Sequence, residues 1–150
     1  MKHITSDIHH KHPDLFLELK RNLCLNTISD INSPINQYSG DVNFLAEMGI
    51  IKKNSVVETL ISRIEGNIGP HFDAIDEYKK DVYLLVLDAS TGNRHRDSQR
   101  YPLLYQNREF IKLRKGDLVR FNQNITHALL WDRRIDIATF WIRKQQYVFT

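Results

Sequence analysis

Hydrophobic and polar positions change their period once along this chain, near Ser55. Before that point, Pro13–Leu23 sets Leu15, Leu17, Leu19 and Leu23 among charges. Pro13 suits a first helical turn, so a short helix is expected. Ser29–Gly40 (SDINSPINQYSG) is loop chemistry, and Asp41–Met48 predicts a second helical turn ended by Gly49. From Ser55 the run to Ile64 is rich in Val, Ile and Thr and reads as a strand. Asp81–Leu87 (DVYLLVL) is continuously apolar, as expected of a strand covered on both faces. Ala89–Tyr101 is a polar, charged loop. Leu103–Tyr105, Phe110–Leu113, Leu118–Phe121 and Thr126–Trp131 are short strands separated by Gln-Asn, Lys-Gly-Asp and Asn-Gln-Asn turns, and Ile135–Ile142 is the last strand. Short strands at this spacing predict a mainly β sandwich or barrel, with the N-terminal helices capping one sheet.

Length and composition narrow the class. A chain of 150 residues is expected to form one domain with a real core, residues 1–54 as a helical and loop cap and 55–150 as the β core. A hydrophobic fraction of 41% and a mean hydropathy of −0.44 are ordinary for a soluble globular protein. No apolar run reaches the ~18–20 residues a membrane helix needs. The opening stretch MKHITSDIHHKHPD is polar and does not read as a secretory signal. The single cysteine, Cys24, excludes an internal disulfide framework and favours a reducing, cytoplasmic setting. A net charge of +3 and a pI near 9.0 permit nucleic acid as a partner but do not indicate it. His9, His10 and His12 could bind a metal adventitiously, on a terminus expected to be loosely packed.

The candidate chemistry lies in His71, Asp73 and His127. His71 and Asp73 close Ser62–Asp73 (SRIEGNIGPHFD) as H-x-D. His127 follows in Lys115–Leu130 (KGDLVRFNQNITHALL), where a Gly-Asp turn leads into two alternating strands. Two imidazoles and one carboxylate are the ligand set of a divalent iron that keeps positions open for oxygen and an organic cosubstrate, although Mn, Co, Ni or Zn also suit them. On an extended segment, residues i and i+2 share a face, so His71 and Asp73 can reach one ion.

With these residues in view, Val57–Lys144 resembles the double-stranded β-helix, or jelly-roll, core of the Fe(II)/2-oxoglutarate-dependent dioxygenases. The matching pieces are Pro70–Asp73 (PHFD), Tyr83–Asp88 (YLLVLD), Lys115–Phe121 (KGDLVRF), Thr126–Ala128 (THA) and Arg134–Ile142 (RIDIATFWI). The resemblance implies a hydroxylase with iron on His71, Asp73 and His127, and 2-oxoglutarate as cosubstrate with its far carboxylate on a basic residue after the distal histidine. Arg134 is the position implied. On the last strand Ile135, Ile137 and Trp141 form one face, and Arg134, Asp136, Ala138 and Phe140 the other. If the first face packs on the helices, Arg134 points into the barrel; in the reversed register Arg133 does. Tyr83 is a further candidate for a hydrogen bond to the cosubstrate, and Arg63 for substrate contact. The loop Asn93–Arg100 (NRHRDSQR), with His95, is a candidate lid or anion-binding rim.

Two other readings stand beside this one. A cupin-like metalloprotein would use a similar barrel, but with a closer His pair and a Glu before the distal histidine, which this sequence lacks. A non-catalytic binding protein would keep the barrel and act through its surface. Nothing in the sequence chooses among a peptide side chain, a nucleobase and a small metabolite as substrate, and no membrane partner is expected.

Overall fold

In the computed structural model of the chain, the structure describes residues 1–23, 25–27, 36–38, 40–90 and 100–145. Among the described residues, eleven strands and three short helices follow in the order β1 (Lys2–Thr5), α1 (Ile8–Lys11), α2 (Pro13–Arg21), β2 (Leu25–Thr27), β3 (Asn36–Tyr38), α3 (Phe44–Glu47), β4 (Val57–Glu65), β5 (Ile68–His71), β6 (Tyr78–Ala89), β7 (Leu103–Gln106), β8 (Glu109–Lys112), β9 (Leu118–Asn122), β10 (His127–Leu130) and β11 (Arg134–Arg143). They build two facing sheets. The larger runs β1-β9-β6-β11-β4-β2, with β3 also on β4; the smaller runs β5-β10-β7-β8. Every pairing is antiparallel except β2 with β4. This is the jelly roll with short N-terminal helices that the strand pattern and the resemblance imply.

The larger sheet is buried on both faces, which explains the unbroken apolar run in β6. Val82, Leu84 and Val86 point between the sheets, where they pack with Ile64, Leu104, Leu113, Val119, Phe121, Leu129, Trp131, Ile135, Ile137 and Trp141. Tyr83, Leu85 and Leu87 point the other way, into a layer with Ile61, Leu118, Ala138, Phe140 and Ile142 that is covered by Ile8, Phe16, Leu19, Phe44 and Leu45 of the helices. Each such side chain contributes roughly 1.5–3 kcal/mol on full burial. Helix α2 starts on Pro13, buries Phe16 and Leu19 three positions apart, and ends with Lys20 and Arg21 beside its negative pole.

The first fifty-four residues are more than a cap. Strand β1 pairs with β9, and β2 and β3 pair with β4, so this segment supplies both edges of the larger sheet. The N-terminal stretch is therefore not loose: Ile8 is fully buried, and its amide donates to the Gly116 carbonyl at 3.0 Å. Gly116 has φ +88°, and a Cβ there would run into the His9 ring, so the Lys-Gly-Asp turn favours glycine for both conformation and space. Cys24, most of Ser29–Gly40, and His95 with nearly all of its loop lie outside the described residues. Among the described residues, no helix is long and apolar enough to cross a membrane.

Candidate metal centre

His127 is the first residue of β10, on the face that turns Leu129 into the space between the sheets. Its register partner on β5 is His71, while Leu129 pairs with Ile68. Two steps on β10 thus match three on β5. The extra residue is a bulge at Gly69-Pro70, where a proline on an edge strand loses no ladder bond. Without it Pro70 would face His127; with it His71 does, and the two rings meet edge-on with centroids 4.4 Å apart. Asp73 follows just past the end of β5. Its carboxylate lies 3.3 Å from His127 Nε2 and 3.8 Å from His71 Nε2. One ligand atom from each of the three lies within 4.8 Å of the others.

The tautomers follow from the backbone. His71 Nδ1 lies 2.9 Å from the Gly69 carbonyl, and His127 Nδ1 lies 2.9 Å from the Ile125 carbonyl. A carbonyl only accepts, so each Nδ1 carries the proton and donates it. In the neutral rings both Nε2 atoms then present lone pairs towards a carboxylate that can only accept. Three acceptors converging on one point suit a cation, and carbonyl-oriented imidazoles are a usual arrangement around a metal site. The donor set thus fits a divalent transition metal. Burial is graded: the side chain of His127 is 6% exposed, that of Asp73 27% and that of His71 41%. The Phe121 ring, 4.6 Å from His127, closes the inner side. The outer side is bordered by loops that carry Phe72, Ile75 and Ile125, all exposed apolar residues.

Two buried glutamines that the sequence did not single out brace these loops. Gln106, the register partner of His127 on β7, donates from Nε2 to the carbonyls of Asn122 and Ile125 at 2.7 and 3.1 Å and accepts from the Asn122 amide at 3.1 Å. Gln123 sits in the turn between β9 and β10, and its carbonyl accepts from the Asp73 amide at 2.9 Å. The only advance signal was their type: amides in polar turns, with nothing to mark them as buried.

The four residues predicted beyond the metal ligands are not brought to the centre. Tyr83 and Arg63 lie on the helix-side face of the larger sheet, sharing the parity of Leu85 and Ile61. Arg134 lies there too: Ile135, Ile137 and Trp141 point between the sheets, so Arg134, Asp136 and Ala138 point towards the helices. The arginines instead meet acids. Arg63 donates to both oxygens of Asp136 at 2.9 and 3.2 Å, and Arg134 to Asp88 at 3.4 Å. The hydrogen bond and charge of Asp136 hold the Arg63 guanidinium above its usual pKa. Arg133 has the parity of Ile135 but precedes β11, 3.8 Å from Asp132. Distance along the strands also sets the arginines apart from the three candidate ligands. Phe121, against His127, pairs with Val82, which pairs with Trp141. From Trp141 back to Arg134 is about 23 Å at the usual strand rise, more than a five-carbon diacid spans.

A second cluster, Asp7, His9 and His10, also brings three ligand atoms within 4.8 Å. Burial, His10 and Lys115 lower the His9 pKa, and the neighbouring Lys115 charge opposes a further cation there.

No family model and no curated protein matches the chain. Solved structures do. A conserved protein of unknown function from Streptococcus pyogenes is similar over 97% of this chain and 98% of its own, at a TM-score of 0.50 and 12% identity. A cupin-2 domain protein from Shewanella frigidimarina is similar over 66% of this chain and 91% of its own (TM-score 0.42, 13% identity), and a cupin superfamily protein from Desulfitobacterium hafniense over 75% and 100% (TM-score 0.43, 13% identity). At these identities the likeness concerns the fold.

Proposed function

We propose that His71, Asp73 and His127 hold one divalent iron and that this protein is a metal-dependent oxygenase acting on an organic substrate. The observation that carries the reading is the convergence of three acceptor atoms from β5, its trailing loop and β10, with both imidazoles turned Nε2-inward by backbone carbonyls. Bound iron would supply the redox chemistry needed to reduce dioxygen beside the substrate. The chain's own tasks are orientation and exclusion of water. Gly69 and Ile125 fix the ring planes, and Phe121 shuts the inner side.

2-Oxoglutarate as cosubstrate is the finer form of this reading, supported by the order H-x-D and distal histidine on a jelly roll. The orientation of Arg134 and Tyr83 favours a second form, cupin-like, in which the substrate itself meets the metal without a keto acid. Anaerobic titration with Fe(II), with and without 2-oxoglutarate, tests both. One iron per chain is expected, lost in His127→Ala. A visible charge-transfer band on adding the keto acid selects the first form; iron binding without the band selects the second. Wild-type iron affinity in His127→Ala would overturn the centre itself.

A further inference from the structure

We infer that Gln123 is the positioning residue of the metal centre, fixing the Asp73 carboxylate opposite the two imidazoles by stapling the strap that follows it. This rests on the metal-centre reading. Asp73 is the one ligand outside a strand, so no ladder holds it. Ala74, next to it, has φ +49°, a left-handed conformation that a residue with a Cβ keeps only when its surroundings impose it. The surroundings here converge on Gln123. Its carbonyl accepts from the amides of Asp73 and Ala74 at 2.9 and 3.4 Å, and its own amide donates to the Lys80 carbonyl at 2.9 Å. Its side-chain Nε2 lies within hydrogen-bond reach of the carbonyls of Ile75, Tyr78 and Lys79 at 3.0, 3.3 and 3.1 Å, and Oε1 accepts from the Ile75 amide at 2.9 Å.

A side-chain amide that is fully buried, at 0% exposure, needs its hydrogen bonds satisfied, and here all of them go to residues 75–79. The strap closes on this one group. The same turn holds a second ligand, since the Ile125 carbonyl, two residues on, orients His127. One short turn between β9 and β10 therefore sets two of the three ligands. Asp73 is the more dependent, because His127 also has its strand.

The test is a double-mutant cycle read by Co(II) affinity from visible absorption, with thermal unfolding of the apo-protein alongside. Gln123→Leu removes the staple at similar volume. Loss of outer-shell support to a metal ligand weakens binding by about 10–100-fold, and that loss is expected here in the otherwise wild-type chain. In an Asp73→Ala background the same substitution should cost less than about 2-fold, because the ligand through which Gln123 acts is gone. A role in stability alone would lower the unfolding temperature and leave Co(II) affinity unchanged at lower temperature. Should Gln123→Leu fail to fold, Gln123→Met carries the same expectation. An equal loss in both backgrounds, or no loss in the first, overturns the inference while the centre stands. A wild-type chain that binds no stoichiometric Co(II) overturns the centre, and the inference with it.

Discussion

The two faces of the larger sheet hold charge in opposite ways. On the helix side, Arg63, Asp136, Arg134 and Asp88 alternate in sign, and Lys20 of α2 approaches Asp88 at 4.0 Å. Asp136 and Asp88 each face an arginine, so opposite charges meet within the cluster. Between the sheets, at the mouth beyond Phe121, three groups face one another with acceptor atoms: one carboxylate and two Nε2 lone pairs. The first arrangement is architecture. The second has the donor set that would suit a cation. Complementarity within a cluster, more than the number of charged residues in it, separates a structural network from a binding site.

Substitutions on each face test this contrast. The largest effect is expected at the mouth. His127→Ala should weaken Fe(II) or Co(II) binding by more than about 100-fold, exceeding the loss of an outer-shell group, while the apo-protein keeps its β circular dichroism. On the helix side, Asp136→Ala strands Arg63 and leaves Arg134 with Asp88 alone. Both remain in partial contact with water, so the cost should be about 1–3 kcal/mol in denaturant unfolding, with metal affinity unchanged. Arg134→Ala should cost no more than about 1 kcal/mol, because its contact with Asp88 is long and half exposed. It should leave both metal and 2-oxoglutarate affinity as they are. A large loss of keto-acid binding in that variant would return Arg134 to the role the resemblance gave it.

The smallest effect concerns His9, in the helical layer, its ring 5.7 Å from that of Phe16. Burial first, then His10 and Lys115, lower its pKa on folding. Protonation therefore favours the unfolded chain. The contribution of neutral His9 is whole above the usual value of 6.5 and is lost as pH falls towards the lower folded value. His9→Gln should flatten that acid-side decline in a pH series of unfolding midpoints; an unchanged slope would assign the decline to other groups.

Much of this was legible in the sequence. β6 announced itself by an apolar run that only a strand covered on both faces sustains. The convergence of His71, Asp73 and His127 was legible in the H-x-D spacing taken together with the order of strands and turns around it. Arg134 was not, and the reason is specific. Period-2 alternation separates the two faces of β11 but does not say which faces the barrel, and here both are apolar: Ile135, Ile137 and Trp141 on one, Ala138, Phe140 and Ile142 on the other. A sheet buried on both sides erases the usual clue. β1 was missed because Lys2–Thr5 has no pattern of its own and is a strand only through pairing with β9. Gln106 and Gln123 were invisible because an amide in a polar turn looks the same whether it faces water or a ring of carbonyls.

The bulge at Gly69-Pro70 reaches beyond the aim of one imidazole. β5 is the outermost strand of its sheet, and an outermost strand invites another chain to add to it. Pro70 has no amide hydrogen to offer such a visitor, and the offset in β5 breaks the even spacing that an added strand would have to match. The same two residues that turn His71 inward also end the sheet there. That edge is thereby a poor template for a second copy of the chain, and it is closed without any bulky side chain beside the three candidate ligands.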